Sequence, residues 1–347
     1  MRAETCMTPT SFHEPNTNAR RRDLPLDEYV RGIRAGDRAI MGRAITLIES
    51  NRAGDQESAE ELLTRLMPYS GGSIRVGITG VPGVGKSTFI DTLGSMLTDA
   101  GHRLAVLAVD PSSGVSGGSI LGDKTRMPRL AVHENVFIRP SPSAGMLGGV
   151  ARRTRETMHL CEAAGFDIVL VETVGVGQSE TVVAEMTDFF LALMLPGAGD
   201  ELQGIKRGLL ELADMIVINK ADGDNRTRVE QAAREYRNVM HYARPSDGDW
   251  TPPVLTCSAL TGEGVEAVWR AIADRHGEMR AAGELDQRRR RQALRWMQSM
   301  IDEQLRRMLA THPEVEAIRA KVEAEVLAGR LPAGAGARRI LDAFTAR

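Results

Sequence analysis

The residues with the plainest chemistry in this sequence are Gly80-Val81-Pro82-Gly83-Val84-Gly85-Lys86-Ser87, which match G-x-x-x-x-G-K-[ST] in full. The apolar run Ile74–Thr79 before them reads as a strand and Ser87–Leu97 after them as a helix, the setting that this motif requires. Glycines let the backbone N–H groups of Gly80, Gly83, Val84 and Gly85 turn inward around phosphate oxygens. The helix start at Ser87 and Thr88 adds the positive end of its dipole. Lys86 brings a point charge to β- and γ-phosphates, and the Ser87 hydroxyl suits Mg2+. The competing reading, a chance glycine turn, requires motif and context to agree by accident.

A second constellation is Asn219-Lys220-Ala221-Asp222, at the end of the apolar run Met215–Asn219. An aspartate at its last position can accept from both the ring N–H and the exocyclic amine of guanine. Adenine lacks that donor pair and would leave a buried carboxylate unpaired. Ser258-Ala259-Leu260 closes another apolar run and is placed to hold the base oxygen through a backbone N–H. Together the two stretches point to GTP and GDP. The alternative is a capped turn after a buried strand.

Acidic side chains follow other runs. Asp110 ends Leu104–Val109, Glu172 ends Asp167–Glu172, and Asp123 lies in the stretch from Gly117 to Lys124. Mg2+ takes oxygen ligands and keeps several waters, so one or two carboxylates suffice. Asp110 and Glu172 are the nearer candidates, with Ser87. Asp123 is expected to act through water or on activation, against the reading of an ordinary loop aspartate. The expected catalytic set is therefore Lys86, Asp123 and Glu172. Asp188 opens a strand and is expected at the wrong end. Many GTPases place a glutamine directly after the glycine of Glu172-Thr173-Val174-Gly175, where this chain has Val176, with Gln178 next. Slow hydrolysis in isolation is the expectation. The loop Pro196–Lys206, with glycines at both ends, reads either as a reporter of nucleotide state or as a polar connection.

These residues need elements to hold them. Between about Ile74 and His276, seven short apolar runs alternate with helical patterns: Ile74–Thr79, Leu104–Val109, Val136–Arg139, Asp167–Glu172, Phe189–Leu195, Met215–Asn219 and Val254–Ser258. The alternation predicts an α/β fold with a mostly parallel sheet and helices on both faces. Ligands of such sheets bind at the carboxyl ends of the strands, where every motif above falls. Residues 24–70 read as an N-terminal helical extension, with Tyr29, Ile33, Ile40, Ala44, Ile45 and Ile48 at helical spacing and a break at Gly36-Asp37. Residues 71–278 are the expected P-loop domain, 279–347 a helical arm, and 1–23 a polar, disordered start. In Gln287–Ala310, Leu294, Met297, Ile301, Leu305 and Met308 form one stripe, packed either on this chain or on another subunit. Arg288–Arg291 at its start reads as a solvated face, or else as a nucleic-acid or membrane contact.

Composition sets bounds. A net charge of −2 over 347 residues argues against nucleic acid as the main partner. The longest apolar runs are too short to span a bilayer. Three scattered cysteines, Cys6, Cys161 and Cys257, fit a reducing compartment, the cytoplasm, and offer no disulfide framework. The start of the chain is Arg- and Ser-bearing like a transit segment, but Glu4 and Glu14 weigh against one.

Longer stretches carry a more specific signal. Val109–Ser113, Gly117–Met127, Phe137–Pro142, Gly148–Ala151, Val171–Glu180 and Leu195–Lys206 resemble the MeaB/ArgK/MMAA family. These are GTPase chaperones of methylmalonyl-CoA mutase, related to the signal-recognition-particle and nickel-chaperone class. The resemblance runs from about Leu24 to the C-terminus and is strongest over Arg75–Asp222. It implies a homodimer, with the Leu294–Met308 stripe in a C-terminal dimerisation arm. It also implies binding to an adenosylcobalamin-dependent acyl-CoA mutase, with GTP gating cofactor loading and mutase protection. The family's nucleotide-site acids map onto Asp110, Asp123 and Glu172, and its third switch onto Pro196–Lys206. Gly114-Val115-Ser116 departs from the family, whose members tend to have a bulkier residue and Thr there. Two other functions compete: a kinase acting on a transport protein, and a metallochaperone GTPase for nickel. The latter would be favoured by a His-rich tract or a Cys-x-x-Cys pair, and this sequence has neither.

Overall fold

A computed structural model of the chain describes residues 24–109, 125–140, 147–173, 179–197, 207–243 and 250–345. Seven strands form one sheet in the order β3-β2-β4-β1-β5-β6-β7. They are β1 (Ile74–Gly80), β2 (Leu104–Val109), β3 (Val136–Pro140), β4 (Ile168–Thr173), β5 (Phe189–Met194), β6 (Met215–Ile218) and β7 (Val254–Thr256). Every pairing is parallel. All seven expected runs became strands, with ends shifted by a residue or two.

The strands are mostly apolar because both of their faces are covered. On one face Ala105, Leu107, Val169, Val171, Phe190, Ala192, Ile216 and Ile218 join a single buried cluster. On the other, Val76, Ile78, Leu104, Val106, Leu170, Leu191, Leu193 and Val217 join a second. Neighbours along a strand fall in opposite clusters, as a period of two demands.

The second cluster is closed by α4 (Lys86–Asp99), the short α5 (Pro128–Ala131) and α10 (Val265–Ala281), through Phe89, Ile90, Leu93, Leu130, Val268 and Ile272. The first is closed in part by α1 (Leu26–Arg34), α2 (Arg38–Glu49) and α3 (Ala53–Leu66), whose Ile33, Met41, Ile45, Leu62 and Leu66 are fully buried within it. The break between α1 and α2 falls at Gly36-Asp37, and the Asp37 carboxylate caps α2 by accepting from the N–H groups of Ala39 and Ile40. Also on this face lie α6 (Leu147–Ala163), α7 (Ser179–Ala184), α8 (Arg207–Leu212) and α9 (Arg226–Ala243).

The tail forms α11 (Glu284–Thr311), α12 (Pro313–Leu327) and α13 (Ala333–Thr345). Of the basic run at the root of α11, Arg290 and Arg291 are exposed as expected, but Arg288 and Arg289 are not a solvated face. The Arg288 guanidinium pairs with Asp214 at 2.9 Å. Arg289 pairs with Asp188 at 2.6 Å and donates to the carbonyls of Gly71 and Ser73. Gln292 donates to Thr187 O at 2.8 Å. These bonds fasten α11 to the amino edge of the sheet, and they place Asp188 opposite the motif-bearing end. Beside them Glu162, on α6, is buried and holds Arg75 bidentately at 2.8 Å, with Ser73 and the Gly71 N–H as further donors. Burial alone would raise its pKa, but donors from His159, Arg75 and Ser73 outweigh burial and hold the carboxyl well below the usual range.

Beyond its root, α11 leaves this network. Leu294, Met297, Ile301, Leu305 and Met308 are 44–62% exposed, so among the described residues nothing covers the stripe. No helix among the described residues is long and apolar enough to cross a membrane.

Candidate functional site

The glycine-rich loop joins β1, the central strand, to α4. Two of its glycines are required by geometry. Gly80 has φ +153°, and a Cβ there would lie 2.4 Å from Leu193 O. Gly85 has φ +95°, and a Cβ would lie 2.8 Å from Asn219 Nδ2. The loop therefore passes against its neighbours with only a hydrogen to spare. Lys86 opens α4 and folds back over the loop, donating from Nζ to Gly80 O at 2.7 Å and Val81 O at 3.3 Å. Burial pulls its pKa down, opposed by Glu172 and Glu180, the latter on α7. An ammonium parked on main-chain carbonyls can move to a phosphate at little cost, since it exchanges neutral acceptors for a charged one.

Ser87 Oγ lies 3.2 Å from Glu172 Oε1 at the end of β4. Two hard oxygen donors meet here at the carboxyl edge, which fits the ligand chemistry of Mg2+. The strands behind them are locked by a Thr173-to-Thr79 hydroxyl bond of 2.8 Å between buried side chains. Asp110, Asp123, Val176 and Gln178 lie outside the described residues, as does all of the Pro196–Lys206 loop after Gly197.

The base-side residues come together as a connected set. Asn219 is 1% exposed. Its Nδ2 donates to Val84 O at 2.8 Å and its Oδ1 accepts from the Ala259 N–H at 2.9 Å. One side chain thus ties the phosphate loop to the loop after β7. Lys220 adopts a left-handed φ of +63°, unusual for a residue with a Cβ, and is exposed. The turn it makes brings Asp222 to Ser258, whose Oγ donates to Asp222 Oδ1 at 2.7 Å. Leu260 is 77% exposed at the rim. Cys257 sits behind this wall, where burial pushes its thiol up to about 12, so it stays neutral and donates weakly to Asn219 Oδ1 at 3.6 Å.

Two contributors escaped the sequence reading. Thr92, one helical turn beyond Thr88, donates to Ala259 O at 2.7 Å and so holds the base loop from α4. Arg129 on α5 donates to the Thr92 hydroxyl at 2.7 Å and pairs with the buried Asp91 at 2.8 Å. Neither belongs to a recognisable motif. Their only advance sign was spacing, since Thr92 lies on the face of α4 that carries Thr88.

The arrangement can hold a nucleotide across the edge of the sheet, with phosphates at the start of α4 and the base between the two loops. A family model described as methylmalonyl-CoA mutase-associated GTPase MeaB matches residues 41–314. The chain belongs to the MeaB family. GTPase ArgK of Escherichia coli (strain K12) is 51% identical to it over 283 residues, spanning 82% of this chain and 86% of that protein. The Mus musculus methylmalonic aciduria type A homolog, mitochondrial, is 45% identical over 332 residues, spanning 93% of this chain and 80% of the mouse protein. A crystal structure of an LAO/AO transport system kinase superposes with a TM-score of 0.74 at 41% identity, over 91% of this chain and 96% of that one. This is therefore a GTPase-family protein, related to ArgK and to the methylmalonic aciduria type A proteins.

Proposed function

We propose that this protein hydrolyses GTP to GDP and phosphate and couples that cycle to a cobalamin-dependent acyl-CoA mutase, methylmalonyl-CoA mutase first among them. The observation that carries the nucleotide half is the base-side lock: Asn219 bridging Val84 and Ala259, with Asp222 held by Ser258. An aspartate fixed in that way presents its carboxylate to two donors in line, and guanine alone among the common bases supplies them. In this reading the backbone of Gly80, Gly83, Val84 and Gly85 surrounds the phosphates, with Ser87 and Thr88 at the helix start. Lys220 and Leu260 flank the base. Lys86 neutralises charge growing on the phosphates, and Glu172 positions water near the reacting phosphate. Ser87, with Glu172 beyond it, would hold Mg2+, and Asp110 and Asp123 are assigned to the same centre from the sequence. The metal would supply charge neutralisation across the phosphate oxygens.

The mutase half rests on the family, whose very name carries that association, and on the resemblance stated above for loading and protection of the cofactor. Val176, standing where many GTPases have glutamine, supports slow hydrolysis that a partner accelerates. The exposed stripe on α11 supports a homodimer, because an unpartnered apolar helix face needs covering. The buried thiols of Cys161 and Cys257 suit a reducing cytoplasm.

The test is a pull-down of purified methylmalonyl-CoA mutase by this protein loaded with GDP or a non-hydrolysable GTP analogue, with phosphate release measured in parallel. Binding that depends on the nucleotide, with faster phosphate release, is the expected result. Equal or absent binding in both states would overturn the coupling. The kinase reading draws on the likeness to the LAO/AO transport system kinase. It requires label from γ-labelled GTP to appear on an acceptor protein rather than as free phosphate.

A further inference from the structure

At the amino edge of the sheet, opposite the nucleotide site, a cavity of about 460 Å3 opens between α6, α11 and the start of β1. That volume is in the range of small-molecule sites. Its lining is cationic: Arg75, Arg155, Arg289 and Arg290 face it, with Asp286 on the rim. Arg75 is matched by Glu162 and Arg289 by Asp188. Arg155 and Arg290 form no ion pair with any carboxylate among the described residues.

Arg155 is the odd group. It is only 9% exposed, and it donates to the carbonyls of Gln292 at 3.1 Å and Glu185 at 2.8 Å while stacking on the Trp296 ring at 4.9 Å. Its Nε has no hydrogen-bond partner among the described residues. Burial, together with the charge of nearby Arg75, lowers its pKa to about 10 against the partial opposition of the Glu185 carboxylate, so it remains charged at neutral pH. Carbonyls and a ring face satisfy hydrogen bonds and stacking, but they do not neutralise a buried cation. A packing role would be filled by an apolar side chain of similar length at no electrostatic cost. Nothing in nucleotide binding uses this residue, which sits at the far edge of the sheet.

We propose that this cavity binds a small organic anion, a carboxylate or phosphate carried on an apolar body. Its charged group pairs with Arg155 and Arg290, and its body lies against Met67 and Met186. Such a ligand would bridge α6 to α11 and sit at the root of the arm. The benzoate arm of the test below does not depend on the nucleotide assignment, whereas the phenyl phosphate arm does.

Calorimetry on the full chain saturated with GDP provides the test, with benzoate, phenyl phosphate and neutral benzyl alcohol as probes. GDP keeps phenyl phosphate off the phosphate loop. Saturable binding of benzoate or phenyl phosphate, but not of benzyl alcohol, is expected. Arg155→Gln and Arg290→Gln should each weaken it about tenfold or more, the scale of one charged hydrogen bond, with GDP affinity unchanged. Arg290 is exposed, so its variant decides the matter if Arg155→Gln fails to fold. Equal affinity for benzyl alcohol, indifference to Arg290→Gln, or no saturable binding of either anion would overturn the proposal.

Discussion

At the carboxyl edge of the sheet, Lys86 rests on two main-chain carbonyls and Ser87 faces Glu172 across 3.2 Å. At the amino edge, Glu162, Asp188 and Asp214 are each taken up by an arginine at 2.6–2.9 Å, two of the arginines drawn from α11. The same seven strands end in both places. One end keeps its charges in exchangeable contacts, and the other commits them to fixed pairs. A nucleotide site must release its internal partners when phosphate arrives, whereas the root of a helical arm must not. The rigidity of the lower edge also gives the upper edge a fixed frame, since β1 carries Arg75 at one end and Gly80 at the other.

This contrast can be broken at either end. The largest effect is expected at the amino edge. Glu162→Gln leaves Arg75 buried without its counter-charge and should cost about 3–5 kcal/mol of stability. The sign with pH is definite. The folded carboxyl titrates below its unfolded value, so its contribution is complete above about pH 5 and fades as pH falls. Urea melts of wild type and variant should therefore differ most near pH 7 and converge in acid, while GTP-over-ATP preference stays unchanged.

Lys86→Ala should do the converse. Triphosphate affinity should drop by roughly 10²–10³-fold, the scale of deleting one preorganised charged donor, with melting of the nucleotide-free protein little altered. Retained affinity in equilibrium dialysis would mean that the phosphate loop has been misread. Ser258→Ala should weaken guanine-nucleotide binding by about 1–2 kcal/mol through the loss of one hydrogen bond to Asp222. Thr92→Val is the finest probe. It removes only the tether from α4 to Ala259 O, for about 1 kcal/mol or less, and should lower base selectivity more than phosphate affinity.

What the sequence made legible differs between the two edges in the same way. That Gly80–Ser87, Asn219, Asp222 and Ser258 would meet at one edge was readable because each follows a strand of a parallel sheet, whose carboxyl ends share an edge. The strands were readable because both sheet faces are covered, so each appears as a continuous apolar run. The amino-edge network was not. Arg75, Glu162, Asp188 and Arg289 are distant in sequence, and ion-pair partners have no spacing rule that a single chain reveals. Arg288 and Arg289 looked like a solvated charge run because a run of arginines carries no sign of which will be buried. Thr92 and Arg129 were missed for a related reason: Thr92 holds the loop after β7 and Arg129 holds Thr92, and neither contact leaves a motif in the sequence.

We propose that Asp222, held by Ser258, selects guanine. The most direct measurement is the affinity of Asp222→Asn for GTP, ATP and XTP. An asparagine offers one acceptor and one donor, which matches the ring N–H and the carbonyl of xanthine but not the two donors of guanine. GTP affinity should fall by about tenfold or more while XTP affinity rises. Unchanged GTP preference in the variant would contradict it.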